Sequence, residues 1–329
     1  METKNQRICV VGAGNWGLNH IRTLFELGAL GGVVEHDLNV IKDLKLKYSC
    51  KFHQNLEDAL RIDYDGFIVA TPAATHFELA KIIINQKKSL LVEKPLTLNL
   101  QDAIKLNELA KMNKVNLMVG HLLLFHPAFI KINELIESDL VGEIQYIYSN
   151  RLNLGTIRSD ENVFWSFAPH DISLFNYFFK DKPVGITSRG AEIIQNNIHD
   201  TTITTFEYKN KKMGHIFVSW LHPFKEHRFV IIGSKGMIHF DDSSKNKALL
   251  FYEKKEDISL ANPRPMMKDV KKIHYEKEQP LKNELKYFLS CLNGKKPKIA
   301  NGDSGVEVIR ILEEANKSLK IGSNAFEKK

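Results

Sequence analysis

RICVVGAGNWG, Arg7 to Gly17, decides the fold. Arg7–Val11 is a short apolar run that reads as a buried strand, and it leads straight into Gly12, Gly14 and Gly17. Behind the glycines, Leu18, Ile21, Leu24, Phe25 and Leu27 recur on one side of a helix that stops near Gly28. A lone G-x-G-x-x-G is a weak signal, but a strand before it and a helix after it supply the context it needs. Gly12 permits the tight turn, Gly14 lets a pyrophosphate reach the backbone, and Gly17 allows close helix–strand packing. Amides at the helix start then hold the phosphates. Glu35 closes the next extended segment, 18 residues after Gly17. A carboxylate there accepts hydrogen bonds from an adenosine ribose and repels a 2′-phosphate, so NAD is expected over NADP. Asp37 is the reserve candidate.

Outward from that turn, strand and helix patterns alternate. Helical patterns cover Val40–Tyr48, Leu56–Leu60, Ala74–Gln86 and Asn99–Met112; strands are expected around Lys51–His53 and at Gly66–Ala70, Ser89–Val92 and Asn116–Gly120. This alternation predicts a parallel, doubly wound sheet. Beyond Gly142 the pattern changes to long alternating runs with short turns: Glu143–Asn153, Gly185–Ile194, Thr201–Tyr208, Gly214–Trp220, Arg228–Ile232, Met237–Phe240 and Ala248–Tyr252. These predict a mostly antiparallel sheet. The expected fold is therefore α/β: an N-terminal doubly wound Rossmann domain over residues 1–122, then an α+β domain over 123–329 with a large open sheet. Pro169–Phe179 reads as a helix on one sheet face, and the free face suits an oligomer interface. The final helices, Leu281–Leu292 and Ser304–Leu319, are candidates for packing back on the first domain. Asp241–Asp269 is expected to be loop around its short strand.

Composition narrows the classes. The 329 residues are 43% hydrophobic, enough to bury substantial cores. No apolar run approaches the ~18 residues of a spanning helix. The opening METKNQRICVV carries no signal-peptide pattern. Three cysteines, Cys9, Cys50 and Cys291, fit neither a disulfide framework nor a zinc site and suit a reducing cytoplasm. A net charge of +7 is spread over short, scattered lysine runs, without the aromatic stripe of a nucleic-acid binder. It favours an anionic small substrate instead.

Ligands of such sheets sit at the carboxyl ends of the strands. The polar pieces there are Thr71-Pro72 with His76, Glu93-Lys94-Pro95, and Gly120-His121. In LLVEKP, Leu90–Pro95, a lysine stands at the mouth of a buried strand, where the reacting end of a dinucleotide arrives, and Pro95 fixes its direction. A cis Lys94–Pro95 bond is expected. In the second half, WSFAPHDIS places Trp165, His170 and Asp171 at a helix start, with His170 just after Pro169. Oxidising a secondary alcohol needs a hydride acceptor and a base for the hydroxyl proton. His170, with an ordinary pKa near ~6.5, suits the base. Lys94 suits a polariser of the alkoxide, and is the alternative base once desolvated. His121 and His126 are five apart and lack a zincin spacing, so no metal is expected.

GAGNWG with Glu35, ATPAATH (Ala70–His76), EKP and the histidine-bearing helix resemble the glucose–fructose oxidoreductase/inositol dehydrogenase (Gfo/Idh/MocA) family over nearly the whole chain. Within it, VGHLLLFHPA (Val119–Ala128) and the segment from Tyr146 to Ser173 resemble the UDP-N-acetylglucosamine 3-dehydrogenase branch. The resemblance implies NAD-dependent oxidation of a sugar 3-hydroxyl to a ketone, with the product passed to an aminotransferase for a lipid A 3-amino sugar. It implies catalytic roles for Lys94 and His170. The cofactor set is Gly12, Gly14, Asn15, Trp16, Gly17, Glu35, Thr71, Pro72, His76, Glu93, Lys94, His121 and Trp165. The substrate set is Lys94, Tyr148, Arg151, Asn153, Arg158, His170 and Asp171. One departure stands out: the wider family often has aspartate four residues before the histidine, and this chain has Ser166. A homodimer or homotetramer through the open sheet face is expected. Competing readings are another sugar or polyol dehydrogenase of the same fold, and a non-catalytic NAD(H)-sensing regulator.

Overall fold

Strands of a parallel sheet are covered on both faces and so read as unbroken apolar runs. β1 (Ile8–Val11) is such a run, with every residue buried. The computed structural model describes residues 6–257 and 264–324. After β1 come α1 (Asn15–Glu26), β2 (Leu30–Val34), α2 (Leu38–Lys45), β3 (Lys51–His53), α3 (Leu56–Leu60), β4 (Gly66–Val69), α4 (His76–Asn85), β5 (Ser89–Val92), α5 (Leu100–Asn113) and β6 (Leu117–Val119). The six strands pair in the order β3-β2-β1-β4-β5-β6, parallel throughout. The order reverses between β1 and β4, which is where a doubly wound sheet opens a crevice at its strand ends. Polar caps fix the helix starts: the side chains of Asp37, Asn55 and Asn99 accept from the amides of Asn39, Asp58 and Asp102. Each satisfies one of the donors a helix N-terminus leaves unpaired.

The chain divides into two compact units. One takes in the described residues up to Phe125 together with Glu278–Arg310; the other takes in His126–Lys277 and the residues from Ile311 onward. The second unit opens with α6 (Pro127–Glu137), β7 (Ile144–Leu154), the short α7 (Val163–Phe167) and α8 (Pro169–Phe179). Then follow β8 (Gly185–Ala191), β9 (Thr201–Glu207), β10 (Met213–Ser219), β11 (Leu221–Gly233), β12 (Gly236–Asp241), β13 (Leu249–Asp257) and β14 (Arg264–Ile273). Lastly, α9 (Pro280–Leu292) falls in the first unit, and α10 (Gly302–Asn324) starts there and ends in the second.

The eight-stranded sheet runs β14-β13-β12-β11-β7-β10-β9-β8. Its pairs are antiparallel except β7 with β10. Alternate residues of β7 point to opposite faces. Ser149 and Arg151 bond to Asp171 of α8, which marks the helix-bearing face. Phe175 and Phe178 of α8 meet Phe229 of β11 with ring centroids 5.8 Å apart in each pair, and Phe175 also meets Phe206 at 5.6 Å. Truncating a ring such as Phe229, fully enclosed in this layer, costs about 3–5 kcal/mol. Trp220 is likewise a core residue, its indole N–H donating to Asp200 at 2.6 Å.

Two sequence expectations need correction here. The stretch Asp241–Asp269 is not loop around a short strand: β13 is nine residues long and pairs with β14. β14 is the edge of the sheet, where lysines and a proline such as Pro265 are tolerated because no further strand needs its amides. That polar composition hid the strand; residues 258–263 of this stretch lie outside the described residues. Trp165 also does not share a helix with His170, since α7 ends before Ala168 and α8 begins at Pro169.

Candidate active site

In the first unit the glycine turn is as tight as its spacing requires. Gly12 has φ +94°, and a Cβ there would lie 2.8 Å from Thr71 Cγ2 and 2.9 Å from the Ala70 carbonyl. At Gly17 a Cβ would sit 2.0 Å from the Gly12 carbonyl oxygen. Gly14, the N-cap of α1, faces open space. Asn15 and Trp16 stand exposed at the start of α1, Trp16 at 44%. Glu35 ends β2 and closes on this turn. One carboxylate oxygen accepts from the Ala13 amide at 2.9 Å; the other accepts from the His36 and Asp37 amides at 2.8 and 3.1 Å. Asp37, the reserve ribose candidate, is instead occupied as the cap of α2. An open Gly14, the exposed start of α1 and a fixed carboxylate at the end of β2 fit a dinucleotide.

At the end of β5, Glu93 is half-buried in a polar setting that the sequence did not reveal. His20 Nε2 lies 2.7 Å from Glu93 Oε1, and the Lys94 amide donates to Oε2 at 3.2 Å. Gly120 is needed beside it, because a Cβ there would meet Oε2 at 2.9 Å. Burial alone would raise the Glu93 pKa. The His20 hydrogen bond and charge, helped by the Lys94 amide and charge, outweigh it and hold Glu93 below the ordinary carboxylate range. The Lys94–Pro95 bond is cis. The next carbonyl is gripped too: His76 Nδ1 lies 2.8 Å from the Pro95 oxygen and Nε2 lies 2.9 Å from the Thr71 oxygen. The Thr71 and Thr75 hydroxyls are 2.7 Å apart, and Thr75 donates to the Pro72 carbonyl at 2.8 Å.

His121 follows β6 and is 1% exposed, with no partner for either ring nitrogen among the described residues. Burial pushes its pKa down to about 4; the Glu93 charge opposes this and the Lys94 charge adds to it. Glu284 of α9 is another residue that sequence reasoning missed. It is 1% exposed, and neither oxygen has a hydrogen-bond partner among the described residues. Burial first, then the like charge of Glu93, raises its pKa well above the ordinary range.

In the second unit a separate polar cluster surrounds Arg151. Its guanidinium donates to both oxygens of Asp171, at 2.6 and 3.0 Å, and Ser149 donates to Asp171 at 2.5 Å. Asp171 is 1% exposed and therefore stands behind Arg151 rather than in contact with solvent. Burial disfavours the charged guanidinium, but the Asp171 charge and hydrogen bond, with Asp242, more than offset this. His227 of β11 sits directly across from Arg151 in the strand register. Burial, then the Arg151 and Lys225 charges, pushes its pKa down to about 4 against the pull of Asp171 and Asp242. Asp242 lies 3.7 Å from His126 and 2.8 Å from Lys247. His126 itself caps α6 by accepting from the Ala128 amide.

The other expected substrate residues scatter. His170 is the second residue of α8, and its carbonyl accepts from Ser173 at 2.6 Å. Asn153 continues the Arg151 face of β7, and Arg158 pairs with Glu161 at 3.1 Å in the loop beyond. Tyr148 does not join them. It lies on the opposite face of the sheet, stacked on His215 at 5.2 Å, while Tyr146 bonds to the same imidazole. Among the described residues, no group of three or more His, Cys, Asp and Glu is arranged to hold a metal ion.

Residues 6–121 match the oxidoreductase family with an NAD-binding Rossmann fold, and residues 129–239 match the C-terminal domain described as GFO/IDH/MocA. The chain belongs to the Gfo/Idh/MocA oxidoreductase family. The matched first domain is the family's NAD-binding Rossmann domain. Among its relatives is myo-inositol 2-dehydrogenase of Thermotoga maritima, 24% identical over 95% of this chain and 96% of that protein. UDP-N-acetylglucosamine 3-dehydrogenase of Acidithiobacillus ferrooxidans is 26% identical over 58% of this chain and 59% of that protein. The solved structure of that A. ferrooxidans enzyme superposes with a TM-score of 0.85 at 21% identity, over 97% of this chain and 99% of the other. No helix of the described residues is long and apolar enough to cross a membrane.

Proposed function

We propose that this oxidoreductase uses NAD to oxidise the 3-hydroxyl of a UDP-sugar, foremost UDP-N-acetylglucosamine, to the 3-ketone. The observation that carries the reading is the Glu93-Lys94-Pro95 segment, held rigidly at the mouth of β5 in the unit that carries the glycine turn. Bound NAD supplies the hydride acceptor. Lys94 donates a hydrogen bond to the substrate oxygen as negative charge develops on it. His170 takes the hydroxyl proton, with Lys94 as the alternative base. Arg151, pre-oriented by Asp171, offers its remaining donors to a diphosphate, with Asn153 and Arg158 as further contacts. Tyr148, on the other sheet face, is left out of this set and belongs instead to the open face through which copies of the chain associate. The ketone product suits an aminotransferase, and such a 3-amino sugar nucleotide feeds lipid A-type glycolipids. The reaction is assigned to the cytoplasm.

A second reading has its own support. The inositol dehydrogenase relative matches far more of this chain than the UDP-sugar relative does, which favours a polyol. The test is a substrate panel followed by absorbance of the reduced nicotinamide. Reduction of NAD with UDP-N-acetylglucosamine, and none with myo-inositol or free N-acetylglucosamine, is expected. The reverse pattern would replace the nucleotide sugar with a polyol.

A further inference from the structure

We infer that Lys94 is aimed by a clamp of two buried histidines that grip the residues on either side of it. His20 grips Glu93, His76 grips Pro95, and neither is itself a catalytic residue; both are positioning residues. The inference rests on the reading of Lys94 as the group that meets substrate.

The first jaw starts at the glycine turn. His20 is 0% exposed and lies three residues past Gly17, so the two share a face of α1. Its Nε2 reaches Glu93 Oε1 at 2.7 Å, and Glu93 Oε2 accepts the Lys94 amide at 3.2 Å. The absence of a side chain at Gly120 leaves the carboxylate its place, since a Cβ there would be 2.9 Å from Oε2. The helix that opens the dinucleotide turn and the backbone of Lys94 are therefore joined through a single side-chain relay.

The second jaw is His76, the first residue of α4 and 1% exposed. Its two ring nitrogens face the carbonyl oxygens of Pro95 and Thr71, at 2.8 and 2.9 Å. A carbonyl oxygen can only accept, and a neutral imidazole has only one N–H to give. The ring therefore donates to at least one of the two carbonyls, from a position closed to solvent. This ring ties the segment after β4 to the segment after β5, so Lys94 is braced on both sides.

The test combines kinetics with two spectra that need no substrate. In full-length protein labelled with nitrogen-15, a ring N–H of His76 should be protected from exchange, and the Lys94 amide should exchange slowly. A His76 ring hydrogen that exchanges as fast as that of an exposed histidine would overturn the second jaw. A Lys94 amide that exchanges as fast in wild type as in His20→Leu would overturn the first. In kinetics, His20→Leu and His76→Leu should lose about 10²-fold in kcat, the scale of a small misplacement of a catalytic group. NAD affinity should hold within a few-fold in His20→Leu. His20→Gln and His76→Gln each keep one donor and should recover part of the loss. Folded leucine variants with wild-type kcat would refute the clamp, and if they fail to fold, the two wild-type spectra decide. Lys94→Met measured alongside separates the two ideas. Wild-type turnover in that variant sinks the role of Lys94; an inactive Lys94→Met beside fully active histidine variants sinks only the clamp.

Discussion

Glu93 in the first unit and Asp171 in the second are both enclosed carboxylates gripped by a basic side chain, His20 at 2.7 Å and Arg151 at 2.6 Å. Their surroundings differ. Asp171 takes a two-pronged guanidinium and a serine hydroxyl, so its oxygens are well supplied. Around Glu93, His121 and Glu284 lie buried with no hydrogen-bond partner among the described residues. A satisfied ion pair of the first kind fixes geometry. Unsatisfied buried groups of the second kind carry a desolvation cost, and strongly shifted titratable groups gather where chemistry is done. The buried carboxylate of the Arg151 cluster is fully paired, whereas the Glu93 cluster keeps buried polar groups without a hydrogen-bond partner among the described residues.

The contrast can be broken most forcefully at Lys94. Lys94→Met should lower turnover about 10³-fold or more while NAD binding, followed by protein fluorescence, persists. Wild-type-like turnover would strip the Glu93 cluster of its chemical role. The next largest effect falls on stability in the second unit. Asp171→Ala leaves the largely enclosed Arg151 guanidinium without its hydrogen-bonded carboxylate, which should cost about 3 kcal/mol in denaturant unfolding. Replacing the pair together, Arg151→Met with Asp171→Leu, should restore much of that loss. A double variant as unstable as the single one would show that more than the ion pair is at stake.

A pH series sharpens the picture at His121. Its folded pKa is depressed to about 4, so the folded state binds fewer protons than the unfolded one. The stability linked to keeping it neutral is present above ~6.5 and is lost as pH falls through about 4. Glu284 runs the other way, since a raised carboxyl pKa favours the fold at low pH and less as pH rises. Subtracting the pH dependence of His121→Leu from that of wild type isolates the histidine. The difference should amount to on the order of 3 kcal/mol between pH ~7 and ~4. A flat difference would mean that His121 titrates as an exposed histidine does. The smallest effect is expected at Glu35. NADH should bind more tightly than NADPH, and Glu35→Ser should narrow the ratio by about tenfold, near 1.4 kcal/mol. Tighter binding of NADPH by wild type would overturn the ribose assignment.

Much of the first unit is legible from its residues because its signals are local. Gly12, Gly14 and Gly17 follow an apolar strand directly, and Glu35, Thr71 and Lys94 each sit at a strand end that hydrophobic patterning can locate. His20 was missed although its spacing of three from Gly17 points it toward the sheet; its partner, Glu93, is 73 residues away, and no period in the sequence links them. The second unit hides more. Arg151 meets His227 only through a strand register, and Tyr148 parts from Arg151 because alternate residues of one strand face opposite ways. β14 escaped notice because an edge strand can be as polar as a loop. Glu284 lies on a helix whose amphipathic pattern gives no hint that a carboxyl is buried at its apolar side.

The most direct measurement follows the hydrogen itself. UDP-N-acetylglucosamine carrying deuterium on C3 is incubated with the enzyme and NAD, and the nucleotides are analysed by mass spectrometry and NMR. Deuterium on C4 of the reduced nicotinamide, together with a 3-keto UDP-sugar, is the expected result. Deuterium that stays on the sugar, or is lost to water without reduction of the cofactor, would contradict hydride removal at that carbon.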